Sequence, residues 1–539
     1  METKTVSKAI IESLIANDVD TVFGIPGAHT YNLTNALHEA KNSIRFVHTR
    51  HEQGSAYMAY GYAKSSGKPG VFTVVPGPGI LNAGAALCTA YGANAPVMCL
   101  TGNIMTHLMG QGRGQLHELP DQLATLRGLT KWSDRINHAT EAPSKMATAF
   151  AHMTSGRQRP VAVEVPWDIF ANAAVIEGAK VVQPSPPAID PDQIADAVAL
   201  LRQAKNPLIM VGGGALDAAS EVLALAEKMQ APVVAHRSGK GIVSDKSPYS
   251  FNLIAGYEYW KTCDLLLGIG SRLELQFMRW KWQPKGLKIV RVDIDPTEMV
   301  RLKPDHGIVG DAALCSVALT EALGDHNPEK RREEFEGYRA RSIKAMQVVQ
   351  PQMSYLDAIR AALPEDGFFV EEVSQMGFTA RFGFPVYKPR QYVTCGYQDN
   401  LGFGYNTALG VKVAHPDKTV VSVSGDGGFM FGAQELATAK QHNIAVVAIV
   451  FNNKAYGNVR RDQMNVFGGN VIGSDLENPD FVALAESYGI AAARVETAEA
   501  LKESLDAFVA LNKPALIEVD VETGSETPPW QFLHPAPHD

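Results

Sequence analysis

Short apolar runs recur along the chain, each closed by Gly, Pro or Asn. They include "TVFGIPG", "KPGVFTVVPGPG", "APVMCLTG", "RPVAVEVPWDI", "NPLIMVGGGA", "APVVAHRSGKG", "CDLLLGIGSR", "LKIVRVDIDP", "KTVVSVSGDGG", "IAVVAIVFNN" and "KPALIEVDVE". Each is rich in Val, Ile and Leu, the pattern of a strand covered by helices on both faces. Between the runs, apolar residues return at helical spacing, as at Ala56, Ala59, Tyr60 and Ala63. This alternation predicts an α/β fold built from doubly wound parallel sheets.

Two stretches break the alternation. Asn172 to Gln193 is Pro-rich and aperiodic, and Gly324 to Ser342 is a dense charge run. The first predicts a linker, the second a solvated helix face at a boundary. They divide the chain into three α/β domains, 1–171, 192–325 and 350–539.

Composition adds mainly exclusions. The 539 residues are 45% hydrophobic and 20% charged, with a net charge of -8 and no long basic run. That argues against nucleic acid or an anionic membrane surface as partner. No apolar run approaches the roughly 18 residues of a membrane span. The first residues lack the order of a secretion leader. Five scattered cysteines without a CxxC pair predict reduced thiols and a cytoplasmic protein.

The candidate chemistry begins in "VVSVSGDGGFMFGAQELATAKQHNIAVVAIVFNNKAYGNVRR". Asp426 lies among Gly425, Gly427 and Gly428, where a strand gives way to a helix. Free N–H groups at a helix start favour an anion, and glycines let a phosphate come close. A carboxylate beside a phosphate needs a cation between them, and Mg²⁺ takes oxygen ligands. One strand later, Asn452 and Asn453 offer amide oxygens on a loop. Near the other end, "FTVVPGPGILNAGAAL" sets a strand, a rigid glycine turn and a helix of small residues back to back. Something flat or anionic must approach that backbone closely.

Asp426 and Asn453, 27 positions apart (453 − 426), resemble the diphosphate–metal motif of thiamine diphosphate enzymes. The resemblance runs over nearly the whole chain. It implies thiamine diphosphate and Mg²⁺ as cofactors, the metal held by Asp426, Asn453 and the carbonyl of Ala455. Gly425, Gly427, Gly428, Tyr456, Gly457 and Asn458 would surround the diphosphate half. Glu52, which opens a helix after "IRFVHTRH", matches the glutamate that activates the aminopyrimidine ring. Gly27, Pro76, Gly77 and Asn82 match the segments that flank this ring, and Leu401 the apolar prop of the bent cofactor. The resemblance further implies that the two cofactor halves bind different subunits, so a dimer is the minimum and a tetramer is expected.

The order of pyrimidine-binding, central Rossmann-like and diphosphate-binding domains resembles the acetolactate synthase, benzaldehyde lyase and pyruvate oxidase or decarboxylase branch. The implied function is a C–C lyase or carboligase on small carbonyl substrates, 2-keto acids or 2-hydroxyketones. Several positions depart from acetolactate synthase, among them Asn458, which would point a polar amide at the substrate. His29 stands where that enzyme has a small apolar residue, His117 replaces a glutamine, and Asp462 takes the place of a tryptophan. Histidines near the reacting carbon suit proton transfer near neutral pH. His29 and His117 therefore join Glu52 as candidate catalytic residues, and a 1,2-diketone hydrolase or lyase becomes the alternative. In the central domain Gly212, Gly213 and Gly214 follow a strand without a complete GxGxxG. Relatives of this kind occur with and without flavin, so a FAD-containing synthase or oxidase stays open.

Overall fold

Each quoted apolar run contains a strand, and the strands assemble into three six-stranded sheets, parallel throughout. The computed structural model describes residues 2–280 and 282–538. The first sheet runs, in spatial order, Arg45–His48, Thr21–Gly24, Gly70–Val74, Val97–Asn103, Val161–Pro166 and Trp132–Arg135. The third runs Tyr392–Val393, Phe368–Glu371, Val420–Gly425, Val446–Asn452, Ala515–Asp520 and Ala491–Val495. Counted along the chain within each sheet, both follow the order 2-1-3-4-6-5. The outer domains thus share one topology, which no repeat in the sequence discloses. The central sheet has the order 3-2-1-4-5-6 of a Rossmann fold, from Ser250–Phe251 to His306–Val309.

Central strands are apolar on both faces because helices cover both. Edge strands such as Arg45–His48 and Trp132–Arg135 keep partly exposed polar positions. The expected linker needs one correction. Ala173–Ile176 is a strand, paired antiparallel with Glu2–Thr5. The Asn17 side chain also grips the Lys180 carbonyl and the Val182 N–H, 3.0 and 3.1 Å away. Backbone pairing at the chain's start secures a segment that has no periodicity of its own. The charge run is a helix, Arg332–Met346, which buries Phe335 and Met346 and keeps its acidic and basic residues toward solvent.

The outer domains share one apolar core. At its centre the helices Glu52–Ser66 and Gly404–Ala414 touch backbone to backbone. A Cβ at Gly61 would lie 2.1 Å from the Thr407 carbonyl oxygen, and one at Gly410 would lie 1.9 Å from that of Met58. Only glycine permits this contact. Among the described residues no helix is long and apolar enough to cross a membrane.

Candidate active site

In an open α/β sheet the crevice for a ligand opens where the strand order reverses. In the outer domains that point lies between the first and third strands in chain order. The candidate residues converge on these two points.

In the N-terminal domain the first strand leads into Gly27 and His29, and the third into Pro76 and Gly77. Gly77 has φ +58°, and a Cβ there would fall 2.5 Å from the carbonyl oxygen of His117. His117 itself sits at φ +64°. Gly27 is closed in by Val75, whose Cγ1 would be 2.2 Å from an added Cβ. The two histidine rings stack with centroids 5.1 Å apart, and Trp167 lies 5.0 Å from His29 on another side. His29 is 1% exposed and its Nδ1 has no partner, nor has the Nδ1 of His117. Burial, then the neighbouring His117, lowers the His29 pKa, so its ring is neutral at pH 7.

Glu52 opens the helix Glu52–Ser66, after the N-cap His51. Its carboxylate accepts from Asn82 Nδ2 at 3.0 Å, which joins two of the expected residues directly. Beneath them lies a network that sequence reading missed. The N–H of Gly77 donates to Gln122 Oε1 at 3.0 Å. Gln122 Nε2 donates to the Gly102 carbonyl and to Glu164, 2.8 and 2.9 Å away. Glu164 is fully buried and also accepts from Asn103 and Arg135. A buried glutamine thereby holds the glycine turn, and nothing in "HELPDQLATL" marks it for that task.

In the C-terminal domain the first strand leads into Ser374 and Gln375, and the third into Gly425 and Asp426. A cavity of about 290 Å³ opens between them. Leu401, Gly425, Asp426, Gly427, Gly428, Asn453, Ala455, Tyr456, Gly457 and Asn458 all line it. The helix expected after Asp426 is broken into a single turn, Asp426–Phe429, and two further short pieces. Gly427, Gly428 and Gly432 weaken helix continuity there. A Cβ at Gly427 would meet the Tyr456 ring at 2.4 Å, and one at Gly428 would meet Glu372 Oε1 at 2.6 Å.

Asn452 is the last residue of its strand rather than part of the loop, so Asn453 begins the loop alone. Asn478 Nδ2 donates to Asp426 Oδ2 at 2.7 Å and to Asn452 Oδ1 at 2.9 Å. Burial raises the Asp426 pKa, and the Gly427 N–H and the Asn478 amide oppose that rise. Glu372, buried just after the strand Phe368–Glu371, is pushed up to about 7 by burial. Asn458 lines the cavity, but its Oδ1 is engaged by Gln375 at 2.9 Å and Arg461 at 3.1 Å. Glu526, from the segment after the last strand, completes the lining. It stands in the Pro-, Ser- and Thr-rich "ETGSETPP", which reads as a solvated tail.

A further cavity of about 270 Å³ lies where the three domains meet. Gly212, Gly213, Gly214, Asp293 and Asp311 line it. Arg157 reaches into it and pairs with Asp293, Asp295 and Glu298 at 3.5, 3.4 and 2.8 Å. Gly212 and Gly214 are required by packing, since a Cβ on either would strike Gly270, 2.5 Å and 2.8 Å away.

Comparison with known proteins identifies the family. The N-terminal thiamine pyrophosphate-binding domain model matches residues 4–125, the central domain model 194–320, and the C-terminal binding domain model 372–519. A probable 2-ketoarginine decarboxylase of Pseudomonas aeruginosa is 33% identical, over 96% of this chain and 94% of its own. A probable acetolactate synthase large subunit of Methanocaldococcus jannaschii is 32% identical, over 97% and 93%. The acetolactate synthase large subunit of Haemophilus influenzae is 30% identical, over 98% and 96%. The chain belongs to the thiamine pyrophosphate enzyme family, in the company of the acetolactate synthases.

Proposed function

We propose that the chain is a thiamine diphosphate- and Mg²⁺-dependent carboligase or decarboxylase whose substrate is a small 2-keto acid. One observation carries the reading. Two domains of identical topology present complementary chemistry at equivalent turns: a glycine backbone with Glu52 and Asn82 at one, and Asp426 with Asn453 and Ala455 at the other.

The residues fit the cofactor. Asp426 is buried and has no ion pair among the described residues, although Glu526 brings a second carboxylate close by. A divalent cation would answer both charges. By resemblance to the family the ligands would be Asp426, the Asn453 amide oxygen and the Ala455 carbonyl, the hard oxygen set that Mg²⁺ takes. When bound, thiamine diphosphate supplies a carbanion that adds to a carbonyl and an electron sink for the broken C–C bond. Glu52 would hold a proton at the aminopyrimidine ring, with Asn82 orienting its carboxylate. The glycine turn at Gly77, with Gly27 and Pro76, would admit the flat ring. Leu401 would support the bend. His29, buried and neutral, and the half-buried His117 stacked on it would take or give a proton at a substrate oxygen.

A second copy of the chain completes the site in this reading. The cavity at Asp426 is lined by residues between 373 and 526, and Glu52, Asn82 and His29 take no part in it. We place the domains at 1–171, 192–325 and 350–539, and the protein in the cytoplasm, consistent with its free cysteines.

The experiment is incubation with thiamine diphosphate, Mg²⁺ and pyruvate or a longer 2-keto acid, including 2-ketoarginine, followed by CO₂ release and proton NMR of the products. Release of CO₂ with a new ligated or aldehyde product is expected. Tight cofactor binding without CO₂ would overturn the 2-keto acid reading in favour of hydroxyketones or cyclic diketones. The flavin alternative rests on the three-domain cavity. Two of its glycines, Gly212 and Gly214, are already explained by packing, and Arg157, paired with Asp293 and Glu298, lines it. A colourless preparation is expected; a flavin absorbance band would restore the synthase or oxidase with FAD.

A further inference from the structure

The metal ligand Asn453 presents a problem of orientation. Its amide has an oxygen and a nitrogen of nearly equal size, and only the oxygen can hold a cation. Something must decide which end faces Asp426. At one end the Ala455 N–H donates to Asn453 Oδ1 at 3.2 Å; the structure assigns the other end to the segment that follows the last strand.

Residues 521–530 return along the Asn453 loop and are anchored to it, to the end of the preceding strand and to the segment around Gln350. The Val521 N–H donates to the Asn452 carbonyl at 3.0 Å. Thr523 Oγ1 donates to the Asn453 carbonyl at 2.6 Å. The Thr527 N–H donates to the Gln350 carbonyl at 3.0 Å, and Gln352 Nε2 donates to the Thr527 carbonyl at 2.8 Å. Trp530 then packs against Phe378, with centroids 5.0 Å apart. Between these anchors Glu526 Oε2 accepts from Asn453 Nδ2 at 2.7 Å. Among the described residues the Glu526 carboxylate has no other hydrogen-bond donor and no ion-pair partner.

We propose that Glu526 is a positioning residue of the metal centre: it captures the Asn453 nitrogen, turns the amide oxygen toward the cation, and adds its own negative charge to that of Asp426. A carboxylate accepts and cannot donate, so the opposite orientation of Asn453 would set two acceptors against each other. Outer partners of this kind tune metal affinity as well as ligand geometry. The inference rests on the metal site of the proposed function and extends it to a residue outside the ligand set.

The test is Mn²⁺ binding, read by electron paramagnetic resonance on the full chain with thiamine diphosphate. Wild type is compared with Glu526→Gln and Glu526→Ala, each checked for fold by circular dichroism. Glutamine keeps an acceptor for the Asn453 nitrogen and loses the charge; alanine loses both. Mn²⁺ affinity should fall on the order of 10–100-fold in Glu526→Ala and clearly less in Glu526→Gln. Unchanged affinity in Glu526→Ala, or equal losses in the two variants, would overturn the positioning role. Wild-type protein that takes up no Mn²⁺ with the cofactor would instead overturn the proposed function on which the role rests.

Discussion

At the scale of single residues the site depends on acids and histidines whose surroundings decide their state. Asn82 Nδ2 donates to the Glu52 carboxylate at 3.0 Å and orients it. Glu52→Gln keeps the shape and removes the base. We expect catalytic turnover to drop about 10²–10⁴-fold with cofactor affinity little changed, measured by product formation beside a binding isotherm. A wild-type rate in this variant would exclude Glu52 from the chemistry. Histidines away from the site affect stability. His442, on the C-terminal domain, lies 3.1 Å from His48 of the N-terminal domain. Burial, then His48, Arg45 and Arg50, lowers its pKa to about 4. The folded value lies below the unfolded value of about 6.5. On acidification the unfolded chain therefore binds the proton first. The contribution is complete above about pH 6.5 and is lost as pH falls toward about 4. Buried His29 acts in the same direction. The apparent melting temperature should fall between pH 7 and pH 5, and His442→Gln should flatten that fall.

At the scale of elements, the alternation of apolar runs and helices was legible because buried parallel strands need Val, Ile and Leu on both faces. The Asp426 turn and the Gly77 turn were legible for a related reason, since glycine spacing at a strand end is a backbone requirement visible in the letters. The strand Ala173–Ile176 was not legible, because its partner lies at the start of the chain and sets its structure from outside. The contact of Glu52–Ser66 with Gly404–Ala414 was hidden in the same way. A glycine within a helix reads as a weak point until a partner backbone occupies the space of its Cβ. Gly410→Ala should destabilise by ~1–3 kcal/mol through overpacking. Gly337, half-exposed in Arg332–Met346 with only the Arg341 side chain 3.4 Å from an added Cβ, should gain up to ~1 kcal/mol on the same change. Denaturant midpoints of the two variants measure both signs, and a stabilising Gly410→Ala would refute the close-contact account.

At the scale of the whole molecule, the two halves of the proposed site lie on domains joined by a common core, yet Glu52 does not line the cavity around Asp426. A second copy would supply the missing half to each. Glu52→Gln and Asp426→Ala chains should each be nearly inactive. Mixed, dissociated and reassociated, they should recover about a quarter of wild-type activity, because half of the dimers are hybrids with one intact site. No recovery, with hybrid dimers demonstrated by mass, would place both halves of the site on one chain.

The sequence by itself determined the α/β class, the two glycine turns, the Asp426–Asn453 spacing and the position of Glu52, since these are local demands of backbone and ligand chemistry. The tertiary structure decided what depends on distant partners: the shared 2-1-3-4-6-5 order of the outer sheets, the stacking of His29 on His117, the hold of Gln122 on Gly77, and the meeting of Glu526 with Asn453. Strand order and side-chain contact arise from packing between segments far apart in the chain, and local periodicity carries no record of them.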